Sequence, residues 1–507
     1  MLIVRFFKQW LLLLLLIGLI LPSATPVATA PANVAPAVWL ATEAGASTDF
    51  LVVLAEQADL TPAATLPTKA ARGQWVYAAL WSLAESSQAP LRAWLTERGI
   101  AHRPYYIVNA LYIPAGERAL VQALAARADV ARIEANPRLR QLPFPEALSQ
   151  PTAAQGVEWN LAQVGAPEVW AEGYTGAGII IGGQDTGYDW QHPALLRQYR
   201  GWDGSAASHD YHWHDAIHSG GGVCGADSPV PCDDHSHGTH TMGIAVGDDG
   251  AGNQIGMAPG AQWIGCRNMD RGVGTPATYL ECFEFFLAPY PVGGTPAQGD
   301  PARAPDVTIN SWSCPASEGC SWETLEAAVN AQRAAGILTV VAAGNRGAAC
   351  STVLDPPAIY EAAYTVGAVT SGDLIASLSS RGPVTVDGSG RLKPDLVAPG
   401  VGVRSCVPGG GYGIKSGTSM AAPHVAGAAA LLWSAQPALR DDLAATEALL
   451  NSTAVAFADG QCGDADAIPN NVYGWGRLDI AAAIAATHEV IEYPWQLFLP
   501  LVERREG

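Results

Sequence analysis

The 507-residue sequence predicts an α/β fold, a doubly wound parallel sheet with helices on both faces, preceded by a small α+β domain of ferredoxin-like order. Three observations predict it. Short uninterrupted apolar runs (AGIIIGG, QWIGC, DVTIN, ILTVVAA, AAYTVGAV, PDLVAPG) recur between residues 156 and 487, the pattern of strands buried on both faces. Helical stretches such as ATYLECFEFFLAP and SWETLEAAVNAQRAAG separate them, and strands alternating with helices build parallel sheets. Ahead of these runs, residues 48–142 read as strand, helix, strand, strand, helix, strand.

Residues 1–30 place Arg5 and Lys8 before an apolar run from Trp10 to Leu21, closed by Pro22 and followed by Ala28-Thr29-Ala30. A basic start, a short apolar stretch and a small-residue end predict a secretory signal peptide, hence a secreted, extracellular protein. No later segment is apolar enough to cross a membrane, so no span is expected in the mature form. Residues 31–47 are rich in Ala, Pro and Val and read as linker. Within 48–142, DFLVVLAE is strand, 69–98 helix, HRPYYIVNALYIP strand broken near Asn109, ERALVQALAARA helix and VARIEANPRLR strand. Residues 143–155 lie in a proline-bearing stretch without periodicity, a cleavable linker. The α/β pattern fills 156–487. Residues 488–507 form a tail whose YPWQLFLPLV is an apolar patch.

A net charge of -19, from 28 Lys+Arg against 47 Asp+Glu, argues against nucleic acid or an anionic membrane as partner. Nine cysteines suit an oxidising compartment. Cys224 with Cys232, Cys266 with Cys282, and Cys314 with Cys320 lie close in sequence and are the expected pairs. Cys350, Cys406 and Cys462 remain, so at least one thiol is unpaired. The absence of any C-x-x-C argues against a metal cluster.

In parallel sheets the active groups gather just after the strands. AGIIIGGQDTG ends in Asp185, alone more often a turn or cap residue than a catalytic one. PCDDHSHGTHTMGIAVG carries His235, His237 and His240 ahead of an apolar helix; a zinc reading would still need further ligands and a water-activating group. ILTVVAAGNRG ends in Ala343-Gly344-Asn345, and GTSMAAPHVAG opens a buried helix at Ser419. Acyl transfer by serine needs this set: a hydroxyl nucleophile, a base to activate it, a carboxylate to orient the base, and donors for the oxyanion.

D-T-G, H-G-T-H, A-A-G-N and G-T-S-M-A-A-P, in this order, resemble the subtilisin-like (subtilase) serine proteases across residues 156–487. The resemblance implies catalytic roles for Asp185, His237, Ser419 and Asn345: orienting carboxylate, base, nucleophile and oxyanion donor. It implies that Gly272, Val273 and Gly274 flank an extended polypeptide substrate on one side and Ser311, Trp312 and Ser313 on the other, with Ala343 and Gly344 at the first subsite. Trp312 would wall an apolar subsite or simply fill core. Leu354 would favour an apolar substrate residue there and Asp355 a basic one. Family members often carry glycine where Ser313 stands. The chemistry implies no cofactor. Metal ligation is otherwise unknown, although the His- and Asp-rich insertion at 209–234 would suit structural calcium, as it would a solvated loop. The segment 48–142 resembles the family's inhibitory propeptide, an intramolecular partner. A serine-carboxyl peptidase shares the sheet but uses Glu where HGTH stands.

Overall fold

A computed structural model describes residues 29–140, 147–150, 156–464 and 466–492. Most of the expected signal peptide, the tail's YPWQLFLPLV and much of the expected cleavable linker lie outside the described residues. Helix α1 (Pro36–Ala41) sits within the stretch read as linker. Residues 31–47 are therefore no free linker: Val34, Val38 and Trp39 are buried in the N-terminal domain's own core, where apolar burial outweighs the stretch's weak periodicity.

The N-terminal domain continues with β1 (Ser47–Leu54), α2 (Lys69–Glu97), β2 (Arg103–Tyr105), β3 (Ala110–Glu117), α3 (Arg118–Ala125) and β4 (Val130–Ala135). Its antiparallel sheet has the order β2-β3-β1-β4, which is the ferredoxin-like order. The break between β2 and β3 includes Asn109, at φ 44°, a left-handed conformation that Asn tolerates. β1 is apolar from Phe50 to Leu54 because both faces are covered there. Phe50, Val52 and Leu54 meet Leu91, Leu95 and Val121 of the domain's own helices. Leu51 and Val53 share a core with Leu280, Phe283 and Ala328 of the larger domain. A last short strand, β5 (Leu139–Arg140), leaves this domain toward the larger one.

The larger domain contains a seven-stranded, wholly parallel sheet. Its strands are β6 (Ile180–Asp185), β7 (Trp213–Asp215), β8 (Gln262–Arg267), β10 (Val307–Asn310), β11 (Leu338–Ala342), β12 (Ala363–Val369) and β13 (Leu396–Pro399). Their order is β13-β12-β11-β10-β6-β8-β7. The chain builds outward from β6 to one side through β8, then crosses to β10 on the other. The crevice at the carboxyl ends of β6 and β10 is therefore a topological switch point, where open α/β sheets place their ligands.

Four helices matter for the site: α4 (His237–Val246), α5 (Pro276–Leu287), α6 (Glu326–Ala334) and α7 (Thr418–Ala435). Between β8 and α5 lies the short strand β9 (Val273–Gly274). A hairpin, β14 (Val403–Val407) and β15 (Gly411–Lys415), leads into α7 and pairs with residues Ala147–Gln150. Every residue of α7 from Thr418 to Trp433 is buried, so apart from His424 its side chains are apolar or small all round. A closing helix, α8 (Ile480–Glu492), runs beyond the expected boundary at 487.

Two departures have plain causes. The edge strand β7 is only three residues long and lies inside the polar insertion, where no apolar run announces it. The three expected disulfides are joined by Cys350–Cys462, across 112 residues, leaving Cys406 as a buried thiol. So long a closed loop restricts the unfolded chain strongly. Replacing both Cys350 and Cys462 by Ser should lower the unfolding free energy by about 2–5 kcal/mol. Urea denaturation in a Ser419→Ala background, which prevents self-cleavage, measures this, and an unchanged midpoint would contradict it.

Candidate active site

Asp185 is the last residue of β6, and His237 is the first of α4. The Nδ1 of His237 lies 2.7 Å from Asp185 Oδ1 and 2.9 Å from Oδ2. Both side chains are almost wholly inaccessible (0% and 2%), so the carboxylate depends on its donors rather than on water. The backbone N–H of Thr186 adds a bond of 2.7 Å to Oδ1. With Nδ1–H donated to Asp185, Nε2 is left as the basic nitrogen.

Ser419 is the second residue of α7. Pro423 lacks the N–H that would bond the Ser419 carbonyl four residues back. That carbonyl accepts instead from Ser311 Oγ at 3.1 Å, and Ser419 Oγ donates to the Ser311 carbonyl at 3.1 Å. Pro423 thus opens the first turn to a reciprocal clasp with the residue that follows β10.

Asn345 follows β11. Its Oδ1 accepts from the Thr418 N–H at 2.9 Å and the Thr418 hydroxyl at 3.0 Å. These donors fix the oxygen, so the Nδ2 donors face the other way, toward the cleft that Asn345 lines. Gly344, at φ 100°, donates its own N–H to Thr418 Oγ1 at 3.1 Å.

Ser419, Thr418, Asn345 and Gly344 border a cavity of about 260 Å³. Ser311, Trp312, Ser313, Gly344, Asn345 and Ser419 line it, together with Leu139 and Arg140 of the N-terminal domain. Trp312 is 5% exposed, stacks on Tyr279 at 3.9 Å and donates its indole N–H to the Gln184 carbonyl at 3.1 Å. It is at once a wall of the cavity and part of the core. Ala343, also buried, belongs to that core and is absent from the cavity wall. Val273 and Gly274 pair antiparallel with Arg140 and Leu139. Gly272, at φ 73°, approaches so closely that a Cβ there would lie 3.0 Å from His235 Nε2.

The sequence did not disclose a charge pair at the cavity. Asp355 is bound by Arg346 through two bonds, 2.7 and 3.1 Å, and both residues line the wall; Leu354 does not. Two of the insertion's carboxylates turn inward. Asp215 and Asp234 bind the fully buried Arg267, at 3.3 and 2.6 Å, and the carbonyls of Gly221 and Gly225 accept from it as well. A guanidinium therefore occupies the centre of this carboxylate-and-carbonyl cage. His240 packs inside α4, where burial holds its pKa well below the usual histidine value.

This fold, with this site at its switch point, defines the subtilisin-like class of serine peptidases. The chain belongs to the subtilase family, whose sequence profile matches residues 176–476. It is 37% identical over 399 residues to bacillopeptidase F of Bacillus subtilis (strain 168), an alignment covering 75% of this chain and 26% of that protein. It thus matches only about a quarter of that relative's length. It is 30% identical over 307 residues to subtilisin E of the same strain (59% of this chain, 68% of that one) and, over the same length, to subtilisin of Bacillus pumilus (59% and 94%). Among the described residues, no helix is long and apolar enough to cross a membrane.

His424 links the site to stability. Its Nδ1–H donates to the Met420 carbonyl at 2.8 Å and its Nε2 accepts from Asn160 Nδ2 at 2.8 Å, which satisfies the neutral ring. Burial lowers its pKa to about 4. Unfolding lets it take a proton below about 6.5. The unfolded state then binds more protons between the two values, and stability falls as pH drops from about 6.5 to about 4, by roughly 3 kcal/mol from this group. Unfolding free energies of the Ser419→Ala protein across this range should show the fall, and adding His424→Gln should flatten it. An equal slope in both would contradict the assignment.

Proposed function

We propose that this chain is a secreted serine endopeptidase that cleaves peptide bonds in proteins through an acyl-enzyme, made as a preproprotein that processes itself. The observation that carries the reading is the buried Asp185–His237 bond at the sheet's switch point, beside a cleft lined by Ser419 and Asn345. In the reaction, Ser419 Oγ leaves the Ser311 carbonyl, gives its proton to His237 Nε2 and attacks the scissile carbonyl. Asp185 holds the imidazole in the required tautomer and stabilises the imidazolium. Asn345 Nδ2 and the Ser419 N–H donate to the oxyanion, helped by the positive end of α7. His237 then protonates the leaving amine, and water releases the acyl group. No step requires a cofactor.

An extended substrate would lie between β9 and residues Ser311–Ser313, gaining main-chain bonds whatever its side chains. Segment 48–142 serves as the inhibitory propeptide. In support, β5 already pairs with β9, and Leu139 and Arg140 line the cleft with Ser419. The rest of the domain is docked by Lys69–Asp306 at 2.9 Å, by Arg103–Glu281, and by Glu284 accepting the backbone N–H groups of Tyr106 and Ile107. Processing then falls within 143–155, and the signal at 1–30 directs secretion.

Secreted wild-type protein should begin within 143–155 and hydrolyse casein, whereas Ser419→Ala should remain uncut and inert. Fully active material beginning at about residue 31, or casein hydrolysis surviving the substitution, would contradict the reading. Asn345→Ala should lower kcat by about 10²–10³, the scale established on subtilisin itself for loss of one oxyanion donor, and steady-state kinetics tests it. Arg346 neutralises Asp355 at the cavity wall, so the first subsite takes uncharged side chains. Arg346→Gln should raise kcat/KM for Lys or Arg there by about tenfold relative to Leu, as read in a peptide library; an unmoved ratio would sever Asp355 from specificity.

A further inference from the structure

His237 is presented by a helix whose own cap residue does no capping. Ser236 precedes α4 at φ 72°, and its side chain makes no bond to the free N–H groups of the first turn. Its hydroxyl instead accepts from Lys415 Nζ at 2.8 Å. The capping group comes from further back. Asp233 Oδ2 accepts from the Thr239 N–H at 3.0 Å and the Thr239 hydroxyl at 2.6 Å. Its Oδ1 accepts from the N–H groups of His235 and Ser236, both at 2.9 Å, and from Thr186 Oγ1 at 2.9 Å.

The last bond reaches the other side of the site. Thr186 follows Asp185; its N–H holds Asp185 Oδ1, and its hydroxyl accepts the N–H of Gly238, next after His237, at 3.0 Å. Both ends of the Asp185–His237 bond are thus one residue away from atoms tied to Asp233. The two loops also touch directly. A Cβ at Gly238 would lie 2.2 Å from the Gly187 carbonyl, and one at Gly187 would lie 1.7 Å from the Cys232 carbonyl. Slack in one loop therefore displaces the other.

We propose that Asp233 is a positioning residue that sets the alignment of Asp185 with His237 without touching substrate, a role resting on the reading of Asp185, His237 and Ser419 as the catalytic triad. Only an ionised carboxylate suits the position. It accepts five donors, and an amide there would turn its own N–H groups against backbone N–H groups. The charged and titratable groups around His237 are Asp185 on β6, His235 and Asp233 before α4, His240 on α4 and Lys415 on β15.

The test compares the full chain with Asp233→Asn, Thr186→Val and Thr186→Ser. Asp233→Asn and Thr186→Val should each lower kcat per titrated active site by about 10–100-fold with KM within about twofold, since misplaced catalytic groups lose rate rather than ground-state binding. Thr186→Val should act without any change of charge, and Thr186→Ser should restore kcat. In the Ser419→Ala background, the downfield proton resonance of the Asp185–His237 bond should shift or broaden in the two impaired variants. Wild-type kcat per active site and an unmoved resonance in both would overturn the proposal, as would a loss fully explained by fewer folded molecules. A wild-type protein unable to cut casein would defeat the triad reading instead, and the resonance would still decide the role of Asp233.

Discussion

A hydrogen-bonded pair removed from water, Asp185 and His237, joins the end of a buried strand to the start of a buried helix, and the rest of the site is arranged around it. A carboxylate with so little access to solvent is tolerable only because His237 and the Thr186 N–H serve it. That requirement fixes the ring's orientation and tautomer together. It also demands that β6 and α4 meet without slack, which explains why glycines stand at 187 and 238, where backbone meets backbone.

Stiffness at Ser419 has a different origin. Ser419 stands at the start of a helix buried from Thr418 to Trp433, so packing rather than capping holds it. Pro423 removes one helical bond, and Ser311 takes the orphaned carbonyl. Asn345 is fixed through Thr418 in the same turn. The same first turn therefore anchors both Ser419 and Asn345. A shift of α7 would move them together and preserve their separation.

Much of this was legible in the sequence. Each buried parallel strand is a short apolar run because both faces are covered, and the chemistry-bearing residues follow those runs as the switch-point rule requires. What escaped notice was non-local or too short to carry a period. β7 is a three-residue edge strand inside a polar insertion. The Arg346–Asp355 pair joins two loops, and Asp355, read singly, suited a basic substrate residue as Leu354 suited an apolar one. Cys350 meets Cys462 across 112 residues, a distance over which sequence spacing says nothing. The stretch 31–47 lacks a helical period, yet Val38 and Trp39 suffice to bury α1. Asp233 did leave a signal, an acidic residue just ahead of an apolar helix.

The most direct test of the central claim is covalent. A fluorophosphonate reacts only with a serine whose hydroxyl is activated by a neighbouring base and whose oxyanion is received by donors. After labelling of the secreted protein, peptide mass spectrometry should place the adduct on Ser419, and His237→Ala should abolish it. An adduct on another residue, or undiminished labelling of Ser419 without His237, would contradict the account.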